Sequence, residues 1–161
     1  MNEVEYKYLL DRAKQEKNQN KKFFQKIKKR KDLDNLFHEE HREVFQEIDC
    51  LACANCCKTT SPIFKETDIN RIAKNLRVKP SKFIEEYLNL DEDNDYVLKS
   101  SPCTFLNEDN TCFIYDYRPQ ACREYPHTDR KKMHQILNLT LKNTEVCPAV
   151  VKVVEELKTK I

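Results

Sequence analysis

Apolar residues recur with helical spacing along much of the chain. Over residues 67–77 they fall at positions i, i+3, i+4 and i+7, which predicts an amphipathic helix. Pro80 suits the first turn of a following helix, whose apolar face runs through residues 83–88. Residues 148–161 carry a regular apolar stripe and predict the last helix. Residues 1–49 also show helical spacing, most clearly in their second half.

β-structure is predicted only in short pieces. The apolar runs 104–106 and 112–115 flank the polar segment 107–110, a pattern typical of a small β-hairpin. The acidic residues 91–95 predict a loop, and residues 96–98 predict a further short strand. The pattern as a whole predicts a mainly α fold with a small β-hairpin.

The chain has no glycine among its 161 residues, and this excludes several kinds of ligand-binding and catalytic motif. Phosphate-binding loops and dinucleotide-binding turns need glycine where the backbone closely approaches a phosphate. A nucleophile elbow of the G-x-S-x-G type is excluded by the same lack. Turns and helix ends with left-handed backbone must therefore be formed by other residues, Asn and Asp first.

Charge is distributed unevenly in the first part of the chain. Residues 12–31 carry ten basic side chains against one acid, and residues 32–49 carry seven acids against one base. Such a basic block is typical of a solvated helix that complements a neighbour, and it also suits a protein or RNA partner. Because every cysteine follows this segment, we predict a helical charged extension, 1–49, and a compact cysteine-rich domain, 50–161.

The densest motif is Cys50-Leu-Ala-Cys53-Ala-Asn-Cys56-Cys57, or C-x2-C-x2-C-C. Two residues between cysteines let one turn of backbone direct both sulfurs toward a single ion. Zinc sites and iron–sulfur clusters both use thiolates at this spacing. Adjacent cysteines are awkward as a mutual disulfide, and inert buried thiols would not explain such tight spacing. We therefore expect metal binding.

Four more cysteines extend the candidate site. Cys103 and Cys112 flank the predicted hairpin, Cys122 lies in the segment after it, and Cys147 precedes the last helix. A helix N-terminus favours a thiolate through the helix dipole. Eight thiolates suit two mononuclear sites, a dinuclear site with bridging sulfur, or one cluster.

The ordered motifs resemble the YkgJ-type cysteine-cluster family, a zinc- or iron-chelating domain, over residues 48–157. The resemblance is carried by C-x2-C-x2-C-C, then Ser101-Pro-Cys-Thr-Phe-Leu106, Cys112-Phe-Ile-Tyr115 and Arg118-Pro-Gln-Ala-Cys-Arg-Glu-Tyr-Pro126. It implies that zinc or iron, including an iron–sulfur cluster, is held by Cys50, Cys53, Cys56, Cys57, Cys103, Cys112 and Cys122. Cys147 matches a later Cys-Pro position and completes the predicted ligand set.

Four residues beside the late cysteines are candidates for supporting contacts: Tyr115, Arg118, Arg123 and His127. Thiolates on a divalent ion leave net negative charge, which guanidinium groups offset directly or through hydrogen bonds to sulfur. An ion pair with Asp116 or Glu124 is the alternative for Arg118. We expect His38 and His41, one helical turn apart in the extension, to be solvated.

Two classes of function follow. The first is a metal-binding protein whose cysteine cluster holds zinc or iron and whose metal contributes to folding. The alternative is an iron–sulfur redox or methyltransferase-related enzyme acting at the metal centre, because proteins similar to flagellin lysine N-methylases carry this kind of cluster. Without a cofactor loop or a separate nucleophile–base pair, such an enzyme would need an open position on the metal.

The expected compartment is the cytoplasm, where thiols stay reduced. The first residues do not combine a basic segment with an apolar run, as a secretory signal does. No apolar stretch approaches the ~20 residues of a membrane span, so we expect no membrane contact.

Overall fold

The computed structural model describes all 161 residues and consists mainly of helices, with one two-stranded antiparallel sheet. The predicted mainly α fold with a small β-hairpin is confirmed. The helices are α1 Glu3–Gln15, α2 Lys17–Ile27, α3 Leu33–Glu47, α4 Cys50–Cys53, α5 Asn55–Thr59, α6 Glu66–Leu76, α7 Pro80–Tyr87, α8 Gln120–Glu124, α9 Leu137–Asn143 and α10 Pro148–Lys160. The strands are β1 Leu88–Leu90 and β2 Tyr96–Leu98. None of the helices combines the length and apolar composition needed to cross a bilayer.

The chain packs as two compact units. The terminal unit comprises residues 1–53 and 126–161, and the central unit comprises residues 54–125. The predicted extension, 1–49, therefore shares a compact unit with the C-terminal helices. Compact packing does not establish which segments fold independently, so the boundary between the predicted domains 1–49 and 50–161 stays a prediction.

In the terminal unit, α1 and α3 pack against α10, and α2 packs against α9. The apolar stripe predicted after Pro148 lies in the core, where Val150 and Leu157 are fully buried beside Phe37. Pro148 begins α10 because the first helical position needs no backbone N–H donor. The basic last turn of α10 suits the negative end of the helix dipole.

The central unit is built on the predicted pair of helices, α6 and α7, which pack against each other. Pro80 occupies the first turn of α7, as predicted. The Phe83 side chain is fully buried, with its ring 6.2 Å from that of Phe105 and nearly parallel to it. These aromatic contacts join α7 to the segment that carries the late cysteines.

The β-hairpin lies at a different place from the one predicted. β1 pairs with β2 in the register Leu88↔Leu98, and the Asp91 side chain accepts hydrogen bonds from the backbone N–H groups of Asp93 and Asp95 in the turn. Residues 104–115, where the hairpin was predicted, contain no strand, but they pair through the bridge Leu106↔Cys112 and through hydrogen bonds from the Phe113 N–H to the Phe105 carbonyl oxygen and from the Asn107 N–H to the Thr111 carbonyl oxygen. Leu88 was assigned to the apolar face of the preceding helix, yet it is extended and its side chain is buried against the central core.

Left-handed backbone occurs at six non-glycine residues. Asn94 and Asn110 lie in turns, which confirms the expectation that Asn replaces glycine there. The other four are Ala54, Arg77, His127 and Lys132. Arg77 ends α6 in the conformation that glycine usually supplies at a helix C-terminus.

The expectation of a solvated histidine pair does not hold for His41, whose side chain is only 20% exposed, while His38 makes its contact at an exposed position. The His38 Nε2 atom lies 2.9 Å from the Arg130 carbonyl oxygen, and the His41 Nδ1 atom lies 2.7 Å from the Thr128 hydroxyl. The His41 ring also stacks on Phe45 at 4.3 Å. Both histidines therefore attach α3 to residues 128–130 within the terminal unit.

Candidate metal centre

The C-x2-C-x2-C-C motif is not one continuous helix. Helix α4 spans Cys50 and Cys53, and α5 carries Cys56 and Cys57. Between them Ala54 has left-handed backbone with φ 47°, a conformation that costs a residue with a Cβ about 1–2 kcal/mol. None of the eight cysteines forms a disulfide.

In the central unit, the backbone attaches Cys57 to the segment of Cys103. The Cys103 N–H donates to the Cys57 carbonyl oxygen at 2.8 Å, and the Ser101 hydroxyl donates to the Lys58 carbonyl oxygen at 3.1 Å. The single bridge to Leu106 then brings Cys112 into the same region. Cys103 and Cys112 both pack against the apolar core of the unit.

Four thiols of the central unit influence one another's pKa. Cys122 is an exposed residue, yet protein atoms around its thiol desolvate it; this effect, together with charges on Cys57, Cys103 and Cys112, raises its pKa to about 12. Burial also raises the pKa of Cys103, with additional contributions from Cys57 and Cys112. Four segments remote in sequence therefore bring these sulfurs into a common electrostatic environment.

Cys57 differs from the other central thiols. Its Sγ lies 4.0 Å from that of Cys56, and this S–H···S contact lowers the pKa of Cys57 to about 7, although burial acts in the opposite direction. Cys57 consequently ionises more readily than Cys103, Cys112 and Cys122. A thiolate at this position is the form that binds a metal.

Arg118 is the basic side chain that acts on these thiols. Its positive charge lowers the pKa of Cys112 and Cys122, against the larger effect of burial, which raises both. Its Nη1 atom donates to the Tyr115 carbonyl oxygen at 2.6 Å, and the guanidinium lies 3.9 Å from the centre of the Tyr115 ring. The Tyr115 side chain, 59% exposed, therefore covers Arg118 on its outer side.

A buried ion pair missed by the sequence analysis positions the segment before Cys122. Asp68, 2% exposed, accepts from Arg71 at 2.7 Å and from the Gln120 N–H at 3.1 Å. Arg71 in turn donates to the carbonyl oxygens of Tyr117 and Arg118. The acid and base at i and i+3 are visible in the sequence, but their partners 46 to 52 residues away are not.

The terminal unit contains the other three thiols, Cys50, Cys53 and Cys147. Burial raises the pKa of Cys147 to about 12, and charges on Cys50 and Cys53 raise it further. Cys147 lies at the N-terminal end of α10, where the N–H groups of Ala149 and Val150 act in the opposite direction. This confirms that Cys147 precedes the last helix, and it places the thiol near the two cysteines of α4.

Tyr6 of α1 lies beside this second group of thiols. Its side chain is 4% exposed, and it belongs to the apolar core against which Cys53 and Cys147 pack. Burial raises the pKa of the Tyr6 hydroxyl, as do charges on Cys53, Asp49 and Cys50, while the Asp49 backbone lowers it. The buried face of α1 can be read from the helical spacing of its apolar residues, Tyr6, Leu9, Leu10 and Ala13.

Two supporting residues lie apart from these contacts. Arg123 is exposed on α8 in the central unit. His127 is half-buried in the terminal unit with left-handed backbone. No group of three or more His, Cys, Asp or Glu side chains has the arrangement of a formed metal site. The assignment of each ligand and supporting residue stays a prediction.

The chemistry of the thiols nevertheless fits a zinc or iron ion. Burial raises the pKa of Cys103 and Cys122, and repulsion from neighbouring thiolates raises it further when no cation is bound. A bound cation reverses this effect, since it favours deprotonated ligands and releases their protons. Thiolate sulfur also selects zinc and iron–sulfur centres over magnesium or calcium.

Comparison with known families identifies one match. The profile of the family described as "CxxCxxCC: Putative zinc- or iron-chelating domain" matches residues 49–148, more than half of the chain. The matched segment includes all eight cysteines, while α1, α2 and α3 precede it. No curated protein and no solved structure shows a significant match to the chain.

Proposed function

The chain belongs to the CxxCxxCC family of zinc- or iron-chelating domains, and we propose that it holds its metal through the thiolates of its cysteines. The observation that carries this proposal is that backbone contacts join the cysteine segments of the central unit: the Cys103 N–H donates to the Cys57 carbonyl oxygen, and Cys112 forms a bridge with Leu106. Charges on Cys57, Cys103 and Cys112 also act on Cys122. These residues come from separate segments, and each lies near enough to others for its charge to act on them. The proposed ligand set also includes Cys50, Cys53, Cys56 and Cys147.

A bound zinc or iron ion would link several short segments of the central unit. Cys57 lies on α5 and Cys122 on α8, while Cys103 and Cys112 lie outside the helices and strands. Isolated helices of five residues are unstable in water, so common ligands would hold them in place. Arg118 would offset part of the negative charge of the thiolates, and Tyr115 would hold Arg118 in position.

The test is anaerobic purification followed by elemental analysis and a visible spectrum. We expect stoichiometric zinc or iron in the native chain and a reduced metal content in Cys122→Ser. Ser100→Ala, an exposed change in the same unit, serves as the control and should retain the metal. A native chain free of both metals, or Cys122→Ser with unchanged metal, contradicts the proposal.

The same experiment separates zinc from an iron–sulfur cluster. Colourless protein with zinc supports a structural or storage role, while iron with sulfide and a visible charge-transfer band supports the iron–sulfur alternative. The eight cysteines form no disulfide, which supports residence in a reducing compartment such as the cytoplasm. An enzymatic role would require a metal position open to substrate.

A protein or RNA partner for residues 12–31 is a separate, weaker proposal. Arg12, Lys17 and Arg30 pair with acids of this chain. Six exposed lysines form no ion pair: Lys21, Lys22, Lys26, Lys28, Lys29 and Lys31. Binding to RNA through these lysines should weaken steeply as salt is raised, and salt-independent binding contradicts an electrostatic interface.

A further inference from the structure

Tyr6 carries a buried polar atom that the packing of the terminal unit does not explain. The hydroxyl is inaccessible to solvent and has no hydrogen-bond partner at ordinary geometry. The Asp49 backbone N–H approaches the oxygen and lowers the pKa of Tyr6, but the hydroxyl proton has no acceptor. Leaving a buried hydroxyl unpaired costs about 1–3 kcal/mol. Phenylalanine would fill the same apolar space without this cost. Packing therefore does not explain the hydroxyl, and we infer that it has a functional role.

The surroundings of Tyr6 indicate which group it serves. Helix α1 contacts α4, the helix of Cys50 and Cys53, and the aromatic ring lies in the core against which Cys53 and Cys147 pack. Among the neighbouring side chains that act on the hydroxyl, Cys53 has the largest influence. A neutral thiol is a weak hydrogen-bond acceptor, so the hydroxyl gains little from Cys53 in its protonated form.

We propose that Tyr6 donates a hydrogen bond from its hydroxyl to the sulfur of Cys53 when that sulfur binds the metal as a thiolate. The inference rests on the proposed function and adds a residue outside the segment matched by the family, 49–148. Metal binding removes the thiol proton and creates a negatively charged acceptor, which forms a stronger hydrogen bond than a neutral thiol.

This role makes α1 part of the support of the metal centre. Hydrogen-bond partners of ligands orient them, and their loss typically lowers metal affinity by about 10–100-fold. Cys50 and Cys147 would be the neighbouring ligands, since their charges act together with that of Cys53. Residues 1–49 would then contribute to metal affinity as well as to the apolar core.

The experiment compares Tyr6→Phe with Tyr8→Phe. Tyr8 lies on the same helix and is 64% exposed, so it is a matched control for loss of a phenolic hydroxyl. Zn²⁺ affinity is measured anaerobically by competition with a chromophoric chelator. Tyr6→Phe should weaken Zn²⁺ binding about tenfold or more, whereas Tyr8→Phe should bind as the native chain does.

Unfolding of the metal-free chains distinguishes this role from a packing role. Without metal, Tyr6→Phe should be at least as stable as the native chain, because an unpaired buried hydroxyl has been removed. The increase in stability on adding Zn²⁺ should be smaller for Tyr6→Phe than for the native chain, because the native chain binds the ion more tightly. Equal Zn²⁺ affinity, or an equal loss of stability with and without metal, overturns the inference.

A double-variant cycle assigns the effect to the three thiols of the terminal unit. In a Cys147→Ser background, Tyr6→Phe should have little additional effect on Zn²⁺ binding, since coupled groups are not additive. Full additivity contradicts the assignment. If the native chain binds neither Zn²⁺ nor Fe²⁺, the proposed function itself falls; if it binds metal and Tyr6→Phe matches it, only the inference about Tyr6 falls.

Discussion

The terminal unit places 15 buried side chains in one apolar cluster, whereas the main cluster of the central unit contains nine. The terminal cluster draws on helices of up to 15 residues, while α5 and α8 of the central unit have five residues each. The central unit nevertheless contains five of the eight cysteines, and the terminal unit has three.

This difference indicates that the two units depend on the metal to different degrees. The helices of the terminal unit bury continuous apolar faces against one another, which is the usual source of helix stability. The short helices of the central unit have little such surface. We therefore expect metal ligation to contribute a larger share of the stability of residues 54–125.

Metal removal should have the largest effect. A structural zinc ion contributes about 10–16 kcal/mol of binding free energy in small domains that fold around it. After chelation, hydrogen–deuterium exchange should accelerate strongly in residues 54–125, while the core segment 150–157 keeps most of its protection. Equal acceleration in both units would contradict the expectation that the central unit depends more strongly on the metal.

Truncation of one core side chain in each unit sharpens the comparison. Phe83→Ala should destabilise the central unit by about 3–5 kcal/mol, and Leu157→Ala should destabilise the terminal unit by about 2–5 kcal/mol. Both side chains are fully buried, so each leaves a cavity. Site-resolved hydrogen exchange should show each loss mainly in its own unit. A loss spread evenly over the chain would show that the units unfold together.

Neutralising Asp68 should have an intermediate effect. It should lower the free energy of unfolding of the central unit by about 1.5–3 kcal/mol. Asp68→Asn removes a charged acceptor from Arg71 and Gln120 and so loosens the segment before Cys122. Asp93→Asn, a change in an exposed turn, is the control. Denaturant unfolding measures the stability of both variants. If Asp68→Asn were as stable as the native chain, Asp68 would not stabilise the central unit.

The Asp68 carboxylate also predicts that the central unit loses stability at low pH. Burial raises the pKa of Asp68, but hydrogen bonds from Arg71 and from two backbone N–H groups outweigh it, and the net pKa lies below 3.8. The stabilisation is therefore present above about pH 4 and is lost as pH falls through the lower, folded-state pKa. This loss should be absent in Asp68→Asn.

The smallest expected effect is a milder pH dependence in the terminal unit. Burial lowers the pKa of His41 below 6.5, with Asp129 acting in the opposite direction. Folding therefore favours the neutral imidazole, and this contribution is complete above pH 6.5 and is lost as pH falls through the folded-state pKa. Exchange in α3 should increase over that range in the native chain and less in His41→Phe.

Local patterns in the sequence predicted much of the fold. The spacing of apolar residues located α6 and α10, and Pro80 and Pro148 marked where two helices begin. The hairpin was misplaced because Leu88 continues the helical spacing, whereas burial of its side chain beside Leu98 favours an extended strand. Tertiary packing decided this segment against the local pattern.

The sequence predicts candidate ligands for the site, whose assignment stays a prediction, but it does not predict the residues that surround them. The spacing of the cysteines predicts which thiols are candidate ligands. It does not show that charges on Cys50 and Cys53 raise the pKa of Cys147. Tyr6 and Asp68 escaped notice because their roles depend on contacts with residues far away in the sequence. His41 was misjudged for the same reason, since Thr128 is 87 residues away.

X-ray absorption spectroscopy at the edge of the bound metal tests the central claim most directly. Sulfur scatterers should dominate the first coordination shell, at about 2.3 Å if the metal is zinc. The number of sulfurs should fall in Cys57→Ser and in Cys122→Ser, and Ser100→Ala should leave the spectrum unchanged. A first shell of oxygen and nitrogen alone would contradict metal binding by the cysteine thiolates.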